Sequence, residues 1–153
     1  MATYTSHSPE ETTALGEAWG RAAVSGLVIA LSGDLGAGKT QLARGVARGL
    51  GIAERVHSPT FALVNEYRGG RLPLFHVDLY RLETIDQIIA AGLEEYFHPA
   101  GVAVIEWAER WFGGQPGSSL KFQKTNLNPT LRQVHIETAG ETERRIIYED
   151  FGG

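Results

Sequence analysis

Gly33-Asp34-Leu35-Gly36-Ala37-Gly38-Lys39-Thr40 stands between the apolar run Leu27-Val28-Ile29-Ala30-Leu31-Ser32 and the helix-favouring segment Gln41-Leu42-Ala43-Arg44-Gly45-Val46-Ala47. An apolar run, a glycine-rich turn with the spacing Gly-x-x-x-x-Gly-Lys-Thr and a helix form a P-loop in its proper setting. Such a turn points backbone N–H groups at a polyphosphate, and the helix start adds partial positive charge. Gly33 to Thr40, with Gln41 following, is therefore the expected nucleotide-binding stretch. Within it Lys39 is expected to reach the terminal phosphates and Thr40 to offer its hydroxyl to Mg²⁺.

The rest of the chain bounds what this cradle can serve. At 153 residues the chain is expected to form one domain, 1–153, a size that buries roughly two thirds of its unfolded surface. Its net charge is −4, and its 14 Lys and Arg residues are dispersed, unlike the basic stripe of a stand-alone nucleic-acid binder. With no cysteine, disulfides, thiolate zinc sites and thiol catalysis are excluded. The longest apolar runs, such as Leu27 to Leu31 and Val102 to Ile105, are far too short to span a bilayer. The start Met1-Ala2-Thr3-Tyr4 lacks the regions of a signal peptide, so a cytoplasmic location without membrane contact is expected.

Ser8-Pro9-Glu10-Glu11 reads as a helix start, with Ser8 as cap and Glu11 at the capping-box position. Leu15, Ala18, Trp19, Ala22 and Ala23 then give a helical apolar face that ends at Gly26. The runs Phe61 to Tyr67 and Leu72 to Val77 flank Gly69-Gly70 and predict a hairpin. Glu83 to Ala91 predicts a helix interrupted at Gly92. Gly101 to Trp107 reads as a parallel strand covered on both faces. Alternation in Leu120–Lys124, Arg132–Thr138 and Arg144–Tyr148 predicts a C-terminal antiparallel extension. The expected fold is α/β, P-loop NTPase-like and three-layered, with a mixed, mainly parallel sheet.

Two carboxylates fall at strand ends. Asp78 closes the second hairpin strand; it suits either Mg²⁺ and its water or a turn cap. Glu106 closes the apolar strand, where ligands of open α/β sheets gather, and it suits Mg²⁺, an attacking water or the start of the next helix. Trp19 reads as core, Trp107 as packed or stacked, and His98 as a surface histidine.

Taken together, the P-loop, Ser58-Pro59-Thr60-Phe61, His76-Val77-Asp78-Leu79-Tyr80-Arg81-Leu82, Gly92-Leu93-Glu94-Glu95-Tyr96-Phe97 and Ile105-Glu106-Trp107 resemble the TsaE (YjeE) family. These are small bacterial P-loop ATPases of tRNA threonylcarbamoyladenosine formation. The resemblance implies ATP and Mg²⁺ in the site, weak hydrolysis alone, and action with TsaB and TsaD homologues, with tRNA met only indirectly through that complex. It implies that Lys39 holds phosphates, that Thr40 and Glu106 serve Mg²⁺, and that Asp78 supports the metal or the hydrolytic water. It also implies that Thr60 lies in a mobile loop near the γ-phosphate and that Ser8 and Pro9 lie near the base. One region departs from the family pattern: the link between Trp107 and Gly140 is longer here, carrying Gly117 to Pro129.

Two other function classes fit a P-loop. A small-molecule kinase needs a substrate lid with clustered arginines, which the dispersed arginines do not supply. A nucleotide-dependent binding module needs only a loop that orders on ATP. A Ras-like GTPase is disfavoured because no Asn-Lys-x-Asp or Thr-Lys-x-Asp signature occurs.

Overall fold

The order of apolar residues along the central strands sets the layers. In β2 (Val28–Gly33), Ile29 and Leu31 project to one face while Val28 and Ala30 project to the other, and all four are buried. A strand that is apolar on both sides must be covered on both sides. The computed structural model, which describes residues 2–33, 38–56, 63–112 and 131–151, meets that demand with helices on each face.

One face is covered by α1 (Pro9–Ala22) and α2 (Lys39–Gly49), whose Trp19, Leu42, Ala43 and Val46 join Ile29, Leu31, Val104 and Val134 in one core cluster. The other face is covered by α3 (Ile85–Ala90), a 3₁₀ turn (Glu94–Phe97) and α4 (Glu109–Phe112). Here Ile88, Leu93, Phe97 and Ala108 pack on Val77, Ala103 and Ile105.

The seven-stranded sheet has the order β1-β7-β6-β2-β5-β4-β3. At its centre β6 (Leu131–Thr138), β2, β5 (Val102–Glu106) and β4 (Leu74–Asp78) run parallel. Antiparallel strands flank them: β3 (Val64–Tyr67) beside β4, and β7 (Arg144–Phe151) then β1 (Ala2–Ser6) beyond β6. The three-layer α/β arrangement, the hairpin and the C-terminal antiparallel extension are those expected. The run Leu120–Lys124 lies outside the described residues.

Two details differ from the sequence expectation. β1 was not anticipated, because a short edge strand with one large apolar residue, Tyr4, carries no periodic signal; its partner β7 supplies the hydrogen bonds. At the start of α1 the Ser8 hydroxyl accepts from the Glu11 N–H (3.1 Å), but the Glu11 carboxylate accepts from the N–H of His7 (2.8 Å), one residue before the cap. At α3 the cap is Thr84, and Gln87 completes a capping box there.

α1 and α2 meet backbone to backbone. A Cβ at Gly16 would lie 2.4 Å from Leu42 O, one at Gly20 2.3 Å from Val46 O, one at Gly45 2.1 Å from Thr13 O, and one at Gly49 2.2 Å from Glu17 O. Glycines four apart on each helix thus interlock, and no larger residue fits without moving a backbone. This contact fixes the start of α2 relative to the start of α1.

Candidate functional site

The site is built at the carboxyl ends of β2, β5 and β4. Gly33 ends β2 with φ 136°, and a Cβ there would lie 2.3 Å from Ile136 O, so a side chain would collide with β6. Gly38 caps α2 with φ 104°, a left-handed conformation that glycine adopts at little cost. Lys39 and Thr40 open α2 immediately after it. Asp34, Leu35, Gly36 and Ala37 lie outside the described residues, as do Ser58 to Phe61 with Thr60.

Lys39 is buried, and its Nζ donates to Gly33 O at 2.9 Å. The same ammonium sits 4.1 Å from the centre of the Trp107 ring, a cation–π arrangement. Trp107 holds a left-handed backbone (φ 59°), and Tyr80 tilts against its ring at 5.1 Å between centroids. Trp107 is therefore neither simply core nor free; it forms a wall beside the P-loop lysine. Trp19 is buried as expected, and His98 is exposed.

The sheet places the two carboxylates together. Asp78 and Glu106 are paired in register as the last residues of the parallel neighbours β4 and β5. Glu106 is only 4 % exposed, and the Thr40 hydroxyl reaches its Oε2 at 3.5 Å. Asp78 also plays the turn role open to it, since its Oδ1 accepts from the N–H of Tyr80 at 2.9 Å. Burial pushes the Asp78 carboxyl above its ordinary range; the Tyr80 N–H pulls it back, and the negative charge of Glu106 raises it again.

Hydroxyl and carboxylate oxygens on neighbouring elements are hard donors, the set a divalent cation such as Mg²⁺ takes. Among the described residues no three His, Asp or Glu side chains form a metal cage.

A cleft of about 190 Å³ adjoins the start of α2. Pro9, Thr12, Gly38 and Gln41 line one side; Glu141, Thr142 and Arg144, from the turn into β7, line the other. Pro9 and Gln41 thus face a common space, whereas the Ser8 hydroxyl is engaged in capping α1. Thr12, Glu141, Thr142 and Arg144 escaped the sequence reading, because only the β6–β7 turn folding back over α1 brings them there. His76 also went unassigned as a separate residue, although it lies two positions before Asp78 on the same strand and so shares its face.

The model of the family described as Threonylcarbamoyl adenosine biosynthesis protein TsaE matches residues 6–146. The chain is 42 % identical over 145 residues to the tRNA threonylcarbamoyladenosine biosynthesis protein TsaE of Bacillus subtilis, covering 95 % of this chain and 83 % of that protein. It is 45 % identical over 105 residues to the protein of the same name from Treponema pallidum, covering 69 % of this chain and 77 % of the other. Among solved structures, it is similar to the crystal structure of Bacillus subtilis YdiB, with a TM-score of 0.72 and 36 % identity over 99 % of this chain and 86 % of that one.

Proposed function

The chain belongs to the TsaE family, and from that premise we propose that it is a Mg²⁺-dependent ATPase of tRNA threonylcarbamoyladenosine biosynthesis. In this reading residues 1–153 form one P-loop ATPase domain, slow alone and stimulated by TsaB and TsaD homologues in the cytoplasm, with tRNA met only through that assembly. The observation that carries it is the meeting of α2 with the strand ends: the Thr40 hydroxyl lies 3.5 Å from Glu106 Oε2 while Asp78 stands in register with Glu106.

The residues divide the work as follows. Gly33 to Gln41 wraps the phosphates, and Lys39 leaves Gly33 O to donate to the terminal ones. Thr40 and Glu106, with Asp78, hold Mg²⁺, which supplies positive charge to the phosphate oxygens. Asp78 and Glu106 accept hydrogen bonds from the attacking water and orient it along the line of displacement. Thr60, as the family resemblance implies, acts near the γ-phosphate. The nucleoside lies in the cleft between Pro9, Thr12 and Gln41 on one side and Arg144 on the other, near Ser8. Catalysis here is mostly positioning and charge stabilisation, which suits a slow enzyme whose turnover is set by partners.

The test is ATP consumption by the purified chain with Mg²⁺, measured alone and with TsaB, TsaD and tRNA. Slow turnover that rises with TsaB and TsaD is expected. ATP consumption that none of them changes, or an ATP-dependent phosphorylation of a small hydroxylated acceptor, overturns it.

A further inference from the structure

Beneath Glu106 lies a polar group that none of these roles uses. His76 is fully buried in β4, among Leu74 and Val104 on the face that α2 covers. In the parallel register His76 stands opposite Val104, and Asp78 stands opposite Glu106. His76 is thus the diagonal neighbour of Glu106 on one face of the sheet, a spacing that a long side chain spans. Its Nε2 lies 2.5 Å from Glu106 Oε2. A carboxylate that binds a cation is ionised and only accepts, which requires the tautomer with the proton on Nε2. The other ring nitrogen, Nδ1, is buried with no hydrogen-bond partner among the described residues.

An orphaned nitrogen in an apolar layer is a cost that a leucine or valine at this position would avoid. What the imidazole provides instead is one strong bond to the carboxylate at the strand end. Thr40 Oγ1 reaches the same oxygen, Oε2, so both fixing contacts converge there. We infer that His76 is the positioning residue of Glu106: its Nε2–H anchors Oε2 from below and fixes the carboxylate plane, so that the remaining lone pairs face the bound cation and its water. This rests on the proposed function, because it gives Glu106 its ligand. Groups that orient a metal-binding carboxylate change metal affinity or activity by roughly 10- to 100-fold when removed.

The experiment uses the full chain, with ADP affinity measured by calorimetry in the presence and absence of Mg²⁺, and with kcat and KM for ATP. In His76→Leu the Mg²⁺-dependent gain in ADP affinity and kcat are expected to fall about 10- to 100-fold. The affinity without Mg²⁺ is expected to stay near wild type, and KM for ATP, measured with Mg²⁺, to rise with the lost gain. His76→Gln, whose amide N–H has similar reach, is expected to recover most of both; His76→Asn, whose amide is shorter, is not. A folded His76→Leu that keeps the full Mg²⁺ gain and kcat overturns the inference, as does a His76→Gln no better than His76→Asn.

Should His76→Leu fail to fold, the wild type decides through the ¹⁵N resonances of its imidazole. A proton on Nε2 and a shift on adding Mg²⁺ with ADP, absent with ADP alone, are expected; no Mg²⁺-specific shift overturns the inference. A wild type with no Mg²⁺-dependent gain in affinity overturns the proposed function and this inference together. A gain that survives every His76 substitution overturns the inference alone.

Discussion

Asp78 and Glu106 end adjacent parallel strands in the same register, so the sheet holds their carboxylates side by side. Burial and the charge of Glu106 raise the Asp78 carboxyl above its ordinary range. For an acid raised in the folded state, the penalty on stability is fully present above the folded pKa and vanishes below the unfolded value of about 4. Asp78→Asn removes that penalty while keeping an oxygen for the Tyr80 N–H. The nucleotide-free variant is therefore expected to melt at the wild-type temperature or higher at neutral pH, with ATP turnover down roughly 10- to 100-fold. A fall in both melting temperature and turnover would contradict it; calorimetry and a phosphate-release assay decide.

Lys39 exchanges a carbonyl for phosphate in the proposed site. Lys39→Ala is expected to lower kcat/KM for ATP by about 10²- to 10³-fold, the scale of losing one preorganised donor. Its ammonium also covers Trp107 at 4.1 Å, so the substitution is expected to change Trp107 fluorescence even without nucleotide. Spectra of the two proteins without ligand test this.

Arg144 lines the cleft opposite Pro9 and Gln41, away from the strand-end carboxylates. Arg144→Ala is expected to raise KM for ATP several-fold and leave kcat near wild type, since it removes binding common to ground and transition states. Steady-state kinetics separate the two; a fall in kcat at constant KM contradicts the placement of the nucleoside.

Gly45 faces Thr13 O across the helix crossing, with room for no Cβ. Gly45→Ala is expected to destabilise the chain by roughly 1–3 kcal/mol or more, as overpacking does, despite the higher helix propensity of alanine. Alanine at Gly51, where a Cβ meets nothing within 4 Å, suffers only from the left-handed backbone. Urea unfolding of both variants ranks them.

Asp150 accepts two hydrogen bonds from Arg132, at 2.6 and 2.9 Å, and these hold its carboxyl below the ordinary range. A depressed acid stabilises above its unfolded pKa, and the contribution disappears as pH falls through the folded one. Because Asp150 is about half exposed, Asp150→Asn is expected to cost less than about 1 kcal/mol at neutral pH, and nothing at strongly acid pH. Arg132 also covers Trp19 and Tyr148, at 4.8 and 5.1 Å from their ring centres, so Arg132→Ala is expected to cost more than Asp150→Asn. Denaturation curves at two pH values check the order.

The sheet's centre was legible because its strands carry their own burial pattern: Val28 to Leu31 and Val102 to Ile105 are apolar on both faces, and only a covered parallel strand needs that. Gly33, Gly38, Lys39 and Thr40 were equally legible, since they owe their places to local backbone chemistry. Asp78 and Glu106 were legible as strand ends, but their pairing depends on register, which no local pattern reports. The glycines of the helix crossing were silent for the same reason: Gly16 and Gly45 look like weak helix residues until the partner backbone is seen. Arg144 and Thr142 reach the cleft through the order of strands, a property of the whole sheet.

That helix crossing has a consequence for ligand thermodynamics. With no side chain between the two backbones, α1 and α2 cannot slide without steric collision, so the distance from Pro9 and Thr12 to Lys39 is a fixed length. On the proposed reading, those points grip opposite ends of one nucleotide. The ordering entropy that a looser protein loses when its ligand arrives is lost here during folding, and binding begins from a site already set to the ligand's span.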